Sequence, residues 1–137
     1  IFSYPENSYT SDYRQEVLDL VNVERAKYGL QPLVMGDANL TAAAQKRAEE
    51  IATVNSHTRP DGTKCFTVLN EYGVKDAPTG ENAAWGSVSP KEVVKAWMNS
   101  EGHRANILDP EARKMGVGYY YNSSSAWGHQ WIQIFTK

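Results

Sequence analysis

The residues best suited to chemistry in this sequence are few: three histidines, His57, His103 and His129, one cysteine, Cys65, and a glutamate, Glu81, set between Gly80 and Asn82. Imidazole can ligate a metal or exchange protons near neutral pH, and a carboxylate beside it can orient it or hold its charge. Taken singly, a histidine is more often a hydrogen-bonded packing or surface group than a ligand. His57, Glu81 and His103 nevertheless fall at the ends of expected elements, where side chains can converge. His129 stands between Trp127 and Trp131 and reads as a hydrogen-bonded packing group, with lining of a cavity as the alternative. No HExxH, GxSxG or glycine-rich phosphate loop is present. A single cysteine excludes an internal disulfide and any cysteine-based metal cluster. Lys64 next to it would lower the pKa of a reactive thiol, whereas the plainer reading is a structural one. Composition and spacing alone leave the function unnamed.

The elements that must position these groups are helices followed by strands. Tyr13, Val17, Leu20, Val21 and Tyr28 recur at helical spacing after Asp12, which reads as an N-cap with Gln15 three residues on. Gly29 and Pro32 close this first helix. Glu24 interrupts its apolar stripe and is expected to be paired or to reach solvent at the stripe's edge, with support of a polar pocket as the alternative. After a turn at Gly36-Asp37, Leu40, Ala44, Ala48, Ile51 and Ala52 mark a second helix ending near Asn55, whose alanines permit close approach to a packed layer.

From Ser56 to Gly86 the punctuation is dense. Arg59-Pro60-Asp61-Gly62 is a strong turn signal, and Pro78, Gly80 and Gly86 break any regular period. The stretch reads as a long structured loop region with a short helix around 68–72, and such loops are disproportionately functional. Ser89-Pro90-Lys91-Glu92 supplies a capping box with proline at the first helical position; Val93, Val94 and Trp97 follow as the buried side of a third long helix. Ser100 caps a further short helix through Leu108. Met115 to Tyr121 and Trp127 to Phe135 are aromatic and β-branched runs joined by Asn122-Ser123-Ser124-Ser125-Ala126, the pattern of an antiparallel hairpin. In the second run Trp127, His129, Trp131, Gln133 and Phe135 share one face, and Gly128, Gln130, Ile132 and Ile134 share the other. Both faces carry bulk, so both should be covered. The class is α+β, in one domain over 1–137 with its motif-bearing core at about 12–136.

A chain of 137 residues can bury roughly 68 % of its unfolded surface and needs no disulfide or metal to fold. With 14 basic and 16 acidic residues, a net charge of -2 and no run of like charges, it lacks the electrostatic footprint of a nucleic-acid binder. No apolar stretch approaches the ~20 residues that span a bilayer, so no transmembrane segment is expected. Ile1-Phe2-Ser3-Tyr4-Pro5 lacks the pattern of a signal peptide, which leaves the compartment open. No internal repeat or low-complexity segment is found, and a monomer is expected.

Several short motifs run in a fixed order. Asn22-Val23-Glu24-Arg25 is followed by Gly29-Leu30-Gln31-Pro32-Leu33, then by Ser56-His57-Thr58-Arg59-Pro60-Asp61-Gly62 and Gly80-Glu81-Asn82-Ala83-Ala84. After these come Trp97-Met98-Asn99-Ser100-Glu101-Gly102-His103-Arg104-Ala105-Asn106-Ile107-Leu108, Met115-Gly116-Val117-Gly118 and Trp131-Ile132-Gln133-Ile134-Phe135. Together, from about Val17 to Phe135, they resemble the bacterial branch of the CAP superfamily: cysteine-rich secretory proteins, antigen 5 and pathogenesis-related proteins, also called SCP-like extracellular domains.

The resemblance implies a three-layer α-β-α sandwich with a central antiparallel sheet, extracellular or at the cell surface, with a cavity lined by two histidines and two glutamates. By motif, His57 and His103 correspond to the histidines and Glu81 to the first glutamate, a set implied to bind zinc or another divalent cation. The second glutamate would fall where this chain has Asn99-Ser100; Glu101 is an imperfect substitute that more simply serves as an anion at a helix start. The disulfides of animal and plant members are absent. Two imidazoles and one carboxylate supply three of zinc's four ligands and leave a position for water, the arrangement of catalytic zinc. Hydrolysis or peptidase activity also needs a general base near that water, so catalysis is the alternative rather than the expectation. A plainer reading is that Glu81 only ties the histidines to nearby backbone, without a ligand.

The resemblance is also compatible with a lipid-binding protein or a cell-surface interaction module, with lipid, peptide or a cell-wall component as partner. Tyr72, Trp85, Tyr119, Tyr120, Tyr121 and Trp127 would floor an aromatic groove for such a ligand, against the plainer reading of core and cross-strand packing.

Overall fold

Strand alternation with bulk on both faces calls for helices on both sides of a sheet, and the computed structural model shows that arrangement. It describes residues 6–137, with side chains from Tyr13 onward, so the reading of Ile1-Phe2-Ser3-Tyr4-Pro5 lies outside the described residues. In chain order the elements are α1 (Glu6–Lys27), β1 (Val34–Met35), α2 (Ala38–Glu50), α3 (Thr67–Glu71), β2 (Pro78–Trp85), α4 (Pro90–Met98), α5 (Glu101–Ile107), β3 (Lys114–Tyr121) and β4 (His129–Thr136). The sheet order is β1-β3-β4-β2; β1 runs parallel to β3, and the other pairs are antiparallel.

The two faces of β4 bury two separate cores. Trp131 and Phe135 pack with Val17, Val21, Val93 and Trp97 from α1 and α4, whereas Ile132 and Ile134 pack with Leu40, Ala44 and Ala48 from α2 and with Val68 from α3. The result is a three-layer α-β-α sandwich. The small residues of α2 bring its backbone onto β3, where a Cβ on Gly118 would collide with the carbonyl of Ala44 and the amide of Gln45. Gln45 clamps the contact by accepting from the Tyr119 amide at 3.0 Å and donating to its carbonyl at 2.8 Å.

Helix boundaries follow local chemistry. Ser89 caps α4 by accepting from the Glu92 amide, with Pro90 in the first turn, and the Glu92 carboxylate accepts from the Val88 amide at 3.0 Å. Asp37, read as part of a turn, caps α2 through the Leu40 amide. α1 begins at Glu6, so Asp12 lies inside the helix rather than at its start. β4 begins at His129 rather than Trp127, because Gly128 takes a positive φ of 75° and turns the chain first.

The largest departure from the sequence reading is β2, an eight-residue strand within the stretch read as loop. Pro78 and Gly80 obscured it, but both sit where an edge strand accepts them, next to the register shift against β4. Its free edge is covered: Trp97 Nε1 donates to the Ala83 carbonyl at 3.1 Å, and Asn106 Nδ2 donates to the Glu81 carbonyl at 3.4 Å. A Cβ on Gly80 would strike the Asn106 side chain, so glycine is what lets α5 lie against this edge.

Candidate functional site

Glu81 lies near the start of β2, opposite Ile134 of β4, with its carboxylate buried. A buried anion requires a partner, and α2 supplies one. Arg47, on the same face as Leu40, Ala44 and Ile51, is fully buried; its Nε donates to Glu81 Oε2 at 2.8 Å and its Nη2 to Oε1 at 3.2 Å. A third donor is His57, whose Nδ1 lies 2.7 Å from Oε1. An ionised carboxylate only accepts, so the proton belongs to Nδ1. The His57 side chain is 59 % exposed, so this contact joins a buried ion pair to solvent.

The cluster continues behind Arg47. Arg47 Nη1 meets Glu50 Oε1 at 2.9 Å, and Arg59 Nη2 meets Glu50 Oε2 at 2.7 Å and Glu71 Oε1 at 3.2 Å. Burial alone would lower the Arg47 pKa, but hydrogen bonds and charge from Glu81 and Glu50 outweigh it and raise it. Burial would likewise raise the Glu50 carboxyl, yet hydrogen bonds from Arg59 and Arg47 hold it below its usual value. Arg59 belongs to the Arg59-Pro60-Asp61-Gly62 turn, closed by a Gly62 amide bond to the Arg59 carbonyl at 2.8 Å and by Gly62 at φ 88°. The turn therefore carries a charged anchor that fixes His57 two residues upstream.

His103 sits on α5, and its backbone carbonyl accepts from Asn82 Nδ2 at 3.1 Å. Its ring is held below the usual histidine pKa, first by burial and then by the neighbouring His57. The ligand atoms that stand within 4.8 Å of one another are those of His57, Glu81 and Cys65, without His103. Cys65 is buried, and burial followed by the charge of Glu81 pushes its thiol up to about 12, which makes it a protonated thiol rather than a nucleophile. Glu101 is exposed at the start of α5 and has no charged partner among the described residues.

His129 stands apart, with Nδ1 2.7 Å from the Tyr119 hydroxyl and its ring stacked on Tyr119. It pairs with Tyr121 at the other end of β4 from Ile134, five residues or roughly 17 Å from the register of Glu81. Trp85 donates to the Ile51 carbonyl and Tyr119 lies against Trp131, so these aromatics are packing groups, while Tyr121 and Trp127 are exposed at the hairpin end. Glu24 pairs with Lys27 at 3.2 Å at the helix surface.

Sequence reasoning missed Arg47. A signal was present: Arg47 lies three residues after Ala44 and four before Ile51, inside the apolar stripe, and a charge there must be paired.

Helices on both faces of a short sheet, with a histidine-capped ion pair at its covered edge, define the structural class. A model of the Cysteine-rich secretory protein family, CAP, matches residues 18–135. The protein YkwD of Bacillus subtilis (strain 168) is 42% identical over 127 residues, covering 91% of this chain and 49% of that protein. The membrane protein YlbC of the same organism is 34% identical over 106 residues, covering 76% of this chain and 30% of that protein. The chain thus spans half or less of these relatives. An extracellular protein containing an SCP domain from Bacillus anthracis str. Ames superposes with a TM-score of 0.84 at 25% identity, over 100% of this chain and 45% of that one. An outer surface protein from Borrelia burgdorferi shares the fold with a TM-score of 0.77 at 22% identity, over 90% of each chain. The chain belongs to the CAP family.

Proposed function

We propose that this CAP domain acts outside the cell or at its surface as a binding module that takes a divalent cation at the His57–Glu81 cluster, with His103 at its approach. The supporting observation is the 2.7 Å contact between Glu81 and His57, which fixes an exposed imidazole against a buried carboxylate. An imidazole nitrogen and a carboxylate oxygen in contact offer two donor types that divalent cations accept. The extracellular placement draws on the descriptions of the Bacillus anthracis and Borrelia burgdorferi proteins. Among the described residues, no helix is long and apolar enough to cross a membrane. A binding role is favoured over hydrolysis because Glu50 and Glu81 are both engaged by guanidiniums, which leaves neither free as a general base.

The test is a melt of metal-stripped protein with added zinc, manganese or calcium. At a hundredfold excess over the dissociation constant, a bound ion stabilises the fold by roughly 2.7 kcal/mol, a shift of several degrees. No shift with any ion, or an undiminished shift in His57→Ala, overturns the reading.

A second reading, binding of an amphipathic ligand such as a lipid, draws on an open cleft of about 390 Å³ whose lining mixes Phe66, Leu69 and Val74 with Lys64, Lys75 and Asp76. That volume is within the range of small-molecule sites. Titration with a fluorescent fatty acid tests it; saturable binding unaffected by Leu69→Glu and Val74→Glu counts against this cleft.

A further inference from the structure

We infer that the cation site includes a thiolate, with Cys65, His57 and Glu81 as a three-donor set of sulfur, nitrogen and oxygen that takes zinc-type cations in preference to magnesium or calcium. The inference rests on the cation reading above and goes beyond it in donor set and selectivity.

Geometry is the first support. The ligand atoms of the three residues lie within 4.8 Å of one another, and Nδ1 of His57 is already 2.7 Å from Oε1 of Glu81. A tetrahedral zinc ion with bonds of about 2.0–2.3 Å places its ligand atoms about 3.3–3.7 Å apart. The 2.7 Å contact and the 4.8 Å outer limit lie on either side of that value. The residues come from segments already fixed in place. The Cys65 amide donates to the His57 carbonyl at 2.9 Å, which ties two of the three donors together across the Thr58↔Lys64 bridge, and Glu81 is pinned by Arg47.

Charge is the second support. The connected cluster sets two guanidiniums, Arg47 and Arg59, against three carboxylates, Glu50, Glu71 and Glu81. The carboxylates outnumber the guanidiniums by one, a balance that favours a cation. Binding releases the Cys65 proton to solvent as the metal–sulfur bond replaces the S–H bond. The neutral imidazole meanwhile moves its proton from Nδ1 to Nε2, so that Nδ1 offers its lone pair.

Donor chemistry supplies the selectivity. Thiolate and imidazole suit zinc and its softer relatives, whereas magnesium and calcium require oxygen ligands in larger number. The buried sulfur would therefore turn a weak histidine–carboxylate site into one for a borderline or soft cation.

Cobalt(II) titration of the full metal-stripped chain is the direct test. A near-ultraviolet thiolate-to-cobalt charge-transfer band is expected in the unaltered protein, displaced by zinc and not by an excess of magnesium. Cys65→Ser, with its fold checked by circular dichroism, should lose the band and bind zinc at least tenfold more weakly. Cobalt binding without that band, or zinc affinity in Cys65→Ser within twofold of the parent, overturns the thiolate donor while leaving the cation reading intact. Failure of every cation to bind overturns both. Because the band is read in the unaltered chain, the test holds even if Cys65→Ser does not fold.

Discussion

Arg47 and Glu81, 34 residues apart in the chain, form a two-point ion pair that joins α2 to β2 beneath the exposed ring of His57. Both side chains are sealed from solvent, so neither charge can fall back on water if the other is removed. Arg47→Met should destabilise the fold by about 3–5 kcal/mol by leaving Glu81 unpaired. Replacing both with apolar residues should recover much of that loss, although Glu50 then lacks one partner. Urea denaturation of the two single variants and the double variant checks the ordering; a loss under about 1 kcal/mol for Arg47→Met would contradict it.

Glu50 gives the cluster a pH dependence. Its folded pKa is depressed by Arg59 and Arg47 despite burial, so the unfolded chain binds the proton more readily. Stability from Glu50 is therefore fully present above the unfolded carboxylate value of about 4.3 and is lost as pH falls through the lower folded value. Acid unfolding should begin below about pH 4. In Glu50→Gln the same transition should be shallower, with a lower starting stability near neutral pH. An unchanged acid limb in that variant would remove Glu50 from the account.

Gly118 tests the closeness of α2 and β3. A methyl there meets the backbone of Ala44 and Gln45, which cannot rotate away as a side chain can. Gly118→Ala should cost about 1–3 kcal/mol, the ordinary penalty of overpacking, or more if the Gln45 clamp on Tyr119 is lost. Gly102→Ala is the control, because a methyl at that position meets nothing within 4 Å. Chemical denaturation of both variants should separate them clearly.

The helices and the hairpin were legible because their signals are local. Ser89-Pro90-Lys91-Glu92 marks its own helix start, and the two buried faces of β4 follow from the bulk at Trp131, Ile132, Ile134 and Phe135. The Ala-rich face of α2 announced a close approach, which the backbone contact at Gly118 confirms. β2 was illegible for a physical reason: Gly80 is needed for the approach of Asn106, and Glu81-Asn82 carry polar groups where a strand normally carries apolar ones. Each local rule was broken for a non-local partner.

The site was only half legible. His57 and Glu81 were paired through the resemblance, and the structure brings them into contact, whereas His103 lies outside the 4.8 Å group. Cys65 in that group and Arg47 beneath it could not be placed by spacing, since the first depends on how the Arg59 turn folds back on α2 and α3 and the second on how α2 lies against β2.

The buried state of Cys65 predicts slow alkylation. With its thiol pushed up to about 12 by burial and by Glu81, almost no thiolate exists at mildly alkaline pH. Iodoacetamide should modify the folded metal-free protein far more slowly than the same chain in guanidinium, with mass spectrometry as the readout. Rapid single-site modification of the folded protein would show that the loop opens and that the packing around Cys65 is not held.

The last prediction concerns competition between protons and cation at the imidazoles. A metal-bound histidine must be neutral, and free imidazole titrates near about 6.5, so cation-induced stabilisation should weaken below about pH 6. His103 is shifted downward by burial and by charge at His57, so it stays neutral to lower pH than a free imidazole and does not set this limit. The melting shift should disappear in His57→Ala and shrink in His103→Ala. His129→Ala should leave it nearly intact, because that ring is bonded to Tyr119 at the far end of β4. Cation binding at scattered surface carboxylates would behave otherwise: it would survive both cluster variants and decline only near the carboxylate range of about 4. A melting shift with that second pattern would place the ion outside the His57–Glu81 cluster.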